Sequence, residues 1–205
     1  SSWRVASSRS SPRAIRPTDA PRRANASAVA RPTPAVAPAG VDDAGIMPVG
    51  FRESVSMSDA LTFVTHGPVA RLRLDRPDLH NAFDAGLIAA LTAALEQVAR
   101  DADVRAVVIE GAGASFSAGA DLNWMRAMAG ASEVENRDDA MALARLMRTL
   151  DELPKPTIAR VHGAAFGGGV GLVACCDIAI GVDTARFGLT ESRLGLLPAV
   201  ISPYV

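Results

Sequence analysis

Two stretches of this chain share one device: an extended apolar run that passes through a turn of small residues into a helix. The first is the run 105–110, closed by Gly111 and followed by Ser115-Phe116-Ser117-Ala118-Gly119-Ala120-Asp121-Leu122. The second is the run 156–161, followed by His162-Gly163-Ala164-Ala165-Phe166-Gly167-Gly168-Gly169. Glycine allows the tight turn and the close approach that such a passage needs. A helix that starts straight after the turn leaves its first N–H groups without partners. Two such turns side by side aim two N–H groups at one point, which makes an oxyanion hole and locates the chemistry at a polarised carbonyl.

With 205 residues, 49% of them hydrophobic, the chain can bury one sizeable core. A net charge of -1 provides no global field for nucleic acid. The first 56 residues are net positive and the remainder net negative. Cys175 and Cys176 are adjacent, too few for a zinc site, and read as small buried apolar residues of a reducing compartment. No window reaches the ~18 unbroken apolar residues of a membrane span.

Residues 1–56 are rich in Ser, Pro, Ala and Arg without sustained hydrophobic period, and read as a disordered or spurious N-terminal extension. Their arginines suit a transit peptide, but Pro12, Pro17, Pro21, Pro32, Pro34 and Pro38 would break an amphipathic helix. Met57 is a natural start, so 57–205 is the expected folded core.

The core pattern predicts strands over 61–65 and 69–74 around a His66-Gly67-Pro68 turn, and a helix over 85–100 capped by Asp84. The β-branched run 104–109 suits a strand buried on both faces. Helices are expected at Leu122–Met128, 140–150 and 169–176, and strands at Thr157–Val161 and 178–180. The stretch 132–139, with Glu133, Glu135, Asp138 and Asp139, reads as a solvated polar segment, and 186–198 as a loop with one helical turn. The alternation argues for an α/β fold with layered sheets.

Nucleotide binding is disfavoured. Neither G-x-x-x-x-G-K-[ST] nor G-x-G-x-x-G occurs, since Leu172 stands where the third glycine after Gly167 and Gly169 would be. No G-x-S-x-G elbow supports a serine nucleophile. Glu191, within Phe187-Gly188-Leu189-Thr190-Glu191-Ser192, is the acid–base candidate, because a carboxylate in apolar surroundings can exchange protons near neutrality. An exposed carboxylate at a helix start is the plainer reading of it. Asp121 reads as the cap of the helix that follows.

Asn81-Ala82-Phe83 after Asp75-Arg76-Pro77, the Phe116–Leu122 and Gly163–Gly169 stretches, Cys176-Asp177-Ile178 and Phe187-Gly188-Leu189-Thr190-Glu191 together resemble the crotonase (enoyl-CoA hydratase/isomerase) superfamily in order and spacing over 61–205. The resemblance implies a crotonase-like β-β-α spiral (the ClpP/crotonase fold) and an acyl-CoA thioester substrate, with no cofactor beyond the coenzyme A that the substrate carries and no metal. It puts the oxyanion-hole N–H groups on Ala120 and Gly168 and the proton-transferring carboxyl on Glu191. It implies thioester and coenzyme A contacts at His80, Asn81, Ala82, Ala118, Ala120, Asp121, Leu122, Asn123 and Gly168. Two-glutamate hydratases of the family carry a further glutamate where this chain has Gly171. Single-glutamate members include Δ3,Δ2-enoyl-CoA isomerases. The run 169–177 and the ending Leu197-Pro198-Ala199-Val200-Ile201-Ser202-Pro203-Tyr204 look most like bacterial methylglutaconyl-CoA and isohexenylglutaconyl-CoA hydratases. The expected protein is therefore an acyl-CoA hydratase, with an isomerase or a non-catalytic acyl-CoA-binding relative as alternatives. Further expectations are a C-terminal helical region missing from this chain, a trimeric or hexameric parent, no nucleic-acid or membrane partner, and a bacterial cytoplasmic location, or the mitochondrial matrix if 1–56 is a transit peptide.

Overall fold

The computed structural model describes residues 3–7 and 51–205, with side chains from Ser58 onward. Strands β1 (Trp3–Ser7), β2 (Phe51–Ser58), β3 (Leu61–His66) and β4 (Val69–Leu74) come first, then α1 (Ala85–Arg100), β5 (Ala106–Gly111), α2 (Leu122–Met128) and α3 (Glu133–Asp151). They are followed by β6 (Thr157–Val161), β7 (Ala164–Phe166), α4 (Gly168–Cys175), β8 (Ile178–Val182) and β9 (Arg186–Gly188). A seven-stranded sheet runs β1-β8-β6-β5-β4-β3-β2, and β7 pairs with β9 in a small second sheet. The strand at Phe51–Ser58 pairs with β3, so Met57 lies inside a strand, and Trp3–Ser7 pairs with β8. The expectation of an N-terminal extension lies, for residues 1–2 and 8–50, outside the described residues.

The β3–β4 hairpin is antiparallel, and β4, β5, β6 and β8 run parallel. Parallel neighbours need crossovers, which α1, α3 and α4 supply. One face of the sheet is the core. Leu61, Phe63, Leu72, Leu74, Val107, Ile109, Ala159 and Val161 point into it, against Leu87, Leu91, Leu95 and Val98 of α1 and Leu146, Met147 and Leu150 of α3. Asp84 caps α1 by accepting from Leu87 N–H at 2.8 Å, as expected. Cys175 and Cys176 are fully buried thiols that form no disulfide, and burial pushes the Cys176 thiol up to about 12.

Three expectations are corrected. β5 is not apolar and fully buried on both faces: Val107 and Ile109 are inside, while the outer face carries half-buried Val108 and the buried carboxylate Glu110. The polar stretch 132–139 belongs to α3, because Ser132 and Glu135 form a capping box that starts the helix well before the apolar residues begin. The loop 186–198 has its expected helical turn, the 3₁₀ turn Glu191–Leu194, but opens with the strand β9, which was not expected.

Candidate active site

The first small-residue turn is held by a parallel bridge between Phe83 and Ala120. Phe83 N–H donates to Gly119 C=O at 2.7 Å, and Asp121 N–H donates to Phe83 C=O at 2.8 Å. Carbonyl and N–H of one trans peptide point in opposite directions. With the Gly119 carbonyl held by Phe83, the Ala120 N–H points away from that bond, on the side of the cavity that Ala120 lines. Gly119 is at φ +86, and its N–H donates to Ser117 Oγ at 3.2 Å, while Ser117 Oγ donates to Asn81 C=O at 2.9 Å.

The second turn starts α4. The Gly167 carbonyl accepts from Val170 and Gly171 N–H at 2.9 and 3.3 Å, so Gly168 N–H points out of the helix N-terminus. Neither the Ala120 nor the Gly168 N–H has a partner among the described residues. The two turns touch: a Cβ on Gly119 would meet Phe166 O at 2.9 Å and Gly168 N at 3.4 Å. Side chains at either glycine would therefore separate the donors.

Glu191 reaches the same place through the small sheet. The β7–β9 ladder ends with Gly167 N–H donating to Gly188 C=O at 3.0 Å, which brings the chain after β9 alongside Gly167. Gly167 is at φ +49, and a Cβ there would lie 3.0 Å from Glu191 Oε1. Glu191 Oε2 is buried and has no hydrogen-bond partner, so it is not the exposed carboxylate of the plainer reading. A buried carboxylate oxygen without a donor is costly, and such atoms in native folds call for a functional explanation.

Ala120, Gly168 and Glu191 line one cavity of about 690 Å³. Its lining also includes Asp78, Leu79 and His80, and the apolar Leu143, Leu196, Leu197 and Ile201. Arg126 and Arg193 also line it. His80, Ala82, Ala118, Asp121, Leu122 and Asn123 are all brought to this cavity. Asn81 is not. It is fully buried, with its side-chain NH2 donating to the carbonyls of Ala112, Ser115 and Phe116 and its Oδ1 accepting from Arg76 N–H. It is a strut beneath the first turn.

Asp121 caps α2 by accepting from the N–H groups of Asn123 and Trp124 at 2.8 and 3.3 Å. Burial raises its pKa, but those two bonds and the Arg76 guanidinium outweigh it, and the carboxyl is held below its ordinary range. Arg76 was not singled out by the sequence. Its guanidinium joins Asp84, Asp121 and the Ala82 carbonyl, tying the caps of α1 and α2 together. Its place in Asp75-Arg76-Pro77 was the only available signal. Among the described residues no group of three His, Cys, Asp or Glu side chains could hold a metal, and no helix is long and apolar enough to cross a membrane.

Residues 65–205 match the enoyl-CoA hydratase/isomerase family. The chain belongs to that family. A crystal structure of an enoyl-CoA hydratase from Shewanella pealeana is 51% identical with a TM-score of 0.70, over 71% of this chain and 55% of that one. A short-chain-enoyl-CoA hydratase of Clostridium acetobutylicum is 37% identical, over 64% of this chain and 50% of its own length. A mitochondrial Delta(3,5)-Delta(2,4)-dienoyl-CoA isomerase of Mus musculus is 35% identical, over 70% of this chain and 45% of its own length. The chain spans about half the length of the curated relatives it matches. Family membership and the mixed sheet with its helices agree with the expected crotonase fold.

Proposed function

We propose that this chain carries the catalytic centre of an acyl-CoA hydratase that adds water across an enoyl-CoA double bond through an enolate. The observation that carries the reading is a buried, unpartnered carboxylate oxygen on Glu191 next to two free N–H groups on Ala120 and Gly168. The thioester oxygen accepts from both N–H groups. Charge builds on that oxygen as water adds at C3, and donors fixed in place stabilise it without rearranging, each worth about 3 kcal/mol. Glu191 takes the proton that water loses as its oxygen bonds to C3 and delivers it to C2, where the enolate collapses. His80, Ala82, Ala118 and Asn123 contact the coenzyme A and thioester end.

The acyl group faces Leu143, Leu196 and Leu197, with Arg193 and Arg126 as the cations of the lining. Those cations suit a substrate with a second carboxylate, which together with the 169–177 and 197–204 segments favours a substrate of the methylglutaconyl type. A second reading, double-bond migration by Glu191 alone, is favoured by Gly171. A Cβ there would run into Ile201 Cγ2, which leaves no space for a second glutamate. Incubation with 3-methylglutaconyl-CoA and with a 3-enoyl-CoA separates the two: water addition to the former supports the hydratase, and migration in the latter without any hydration supports the isomerase. Glu191→Gln is expected to lower turnover by about 100-fold or more while acyl-CoA still binds. Near-normal turnover in that variant would refute the proton-transfer role.

A further inference from the structure

One residue packs against both donor turns. The backbone of Phe83 brackets Ala120, with its N–H on the Gly119 carbonyl at 2.7 Å and its carbonyl on the Asp121 N–H at 2.8 Å. Its ring, 1% exposed, lies against the second turn: a Cβ on Gly168 would sit 2.7 Å from Phe83 Cε2 and 3.0 Å from Cδ2. The Ala120 peptide is thus clamped by the main chain of Phe83, and the Gly168 peptide rests on its side chain. Its position is itself fixed from both sides. Arg76 holds the Ala82 carbonyl on one side and the Asp84 carboxylate on the other.

We infer that Phe83 is the positioning residue that sets the separation of the two oxyanion donors. This rests on the proposed oxyanion chemistry and deepens it. The Ser117–Ala165 bridge ties the two turns together, and the Phe83 ring is the rigid planar spacer that fills the gap between the Ala120 strand and the start of α4. It also accounts for glycine at residue 168 in terms of this chain's own packing: any side chain there must displace the ring or be displaced by it. Phe83 borders the cavity but is only 1% exposed, so it acts on the reaction chiefly through donor geometry. Its loss should therefore affect the polarised carbonyl and turnover more than the binding of coenzyme A.

The test uses a 2-enoyl-CoA carrying ¹³C at the thioester carbonyl, bound to the whole chain, with the carbonyl stretching frequency read by vibrational difference spectroscopy. Hydrogen bonds to the carbonyl lower that frequency. Phe83→Leu and Phe83→Met keep the backbone bonds and shorten or loosen the spacer. Both are expected to lose a large part of the frequency shift and to lower kcat by about tenfold, less than the hundredfold or more of a donor removed outright, with KM changed little. Leu95→Ala, a core truncation in α1 outside the cavity, is expected to lower the melting temperature and leave the frequency unchanged. The size swap gives a second readout. Gly168→Ala, harmful beside the native ring, is expected to be less harmful in the Phe83→Leu background, where the new methyl has room, a non-additivity reserved for residues in contact. An unchanged frequency in both Phe83 variants, or equal harm from Gly168→Ala in both backgrounds, would overturn the inference alone. Absence of any carbonyl shift in the unmutated protein would overturn the oxyanion reading and the inference with it.

Discussion

Gly171 sits where the packing leaves no room for a side chain. A Cβ at this helical position would collide with Ile201 Cγ2 and lie 3.2 Å from Met147 Cε, and Ile201 is only 2% exposed. Two effects of Gly171→Ala oppose each other. Alanine in a helix gains about 1 kcal/mol over glycine. Overpacking a filled core costs about 1–3 kcal/mol. The collision is with a buried branched side chain that cannot swing away, so the cost wins. Gly171→Ala is expected to lower the urea midpoint, and a midpoint at or above that of the unmutated protein would show that Ile201 yields. By the same packing, Gly171→Glu alone does not build a second carboxylate into the site.

Among the elements, the outer face of the sheet carries an ionic cluster that the sequence did not announce. Glu110 of β5 accepts from Arg71 of β4 at 2.9 Å and from Arg160 of β6 at 2.8 Å, so one carboxylate joins three parallel strands. Burial pushes its pKa up, but the two guanidinium groups outweigh that and hold it below the ordinary range. A depressed carboxyl stabilises the fold above its unfolded pKa, about 4.3 for glutamate, and that contribution disappears as pH falls through the lower folded value. Both arginines are substantially exposed, so screening limits the contribution to about 1 kcal/mol. Glu110→Gln is expected to be less stable than the unmutated protein at pH 7 and to converge with it below about pH 4, read from urea midpoints across pH. A constant difference down to pH 2 would rule out the electrostatic account. The same scale explains the reading of α3. Its first two turns carry no core residue, so a search for apolar period finds only the second half; the Ser132-x-x-Glu135 pattern, whose side chains form the capping box, was the signal that could have placed the start.

At the scale of the molecule, the cavity lies where five chain segments meet: 78–83, 118–126 with α2, Leu143 of α3, the start of α4 at 167–168, and 190–201 with the 3₁₀ turn after β9. A ligand in the cavity bridges these segments. At one hundred times its dissociation constant, an acyl-CoA adds about 2.7 kcal/mol of stability, which is about 5–10 °C in melting temperature for a chain of this size. Coenzyme A thioesters are expected to produce this shift in a thermal melt. No shift at millimolar acyl-CoA would contradict binding in this cavity.

Much of this arrangement was legible locally. Asp84 and Asp121 cap the helices expected of them, α1 carries its apolar stripe, and the two glycine turns lead from strand-like runs into helices, because propensity, period and capping act over a few residues. The resemblance supplied the match of Ala120, Gly168 and Glu191 to one site. What the sequence could not contain is which groups approach across long separations. The buried strut at Asn81, the guanidinium of Arg76 between two caps, the filled space at Gly171 and the ring of Phe83 against Gly168 all depend on side chains far apart in sequence meeting at distances set by the packed sheet. Local rules determined the elements and the free amides at their ends. Only close packing in three dimensions decided that those amides and one unpartnered carboxylate share a cavity.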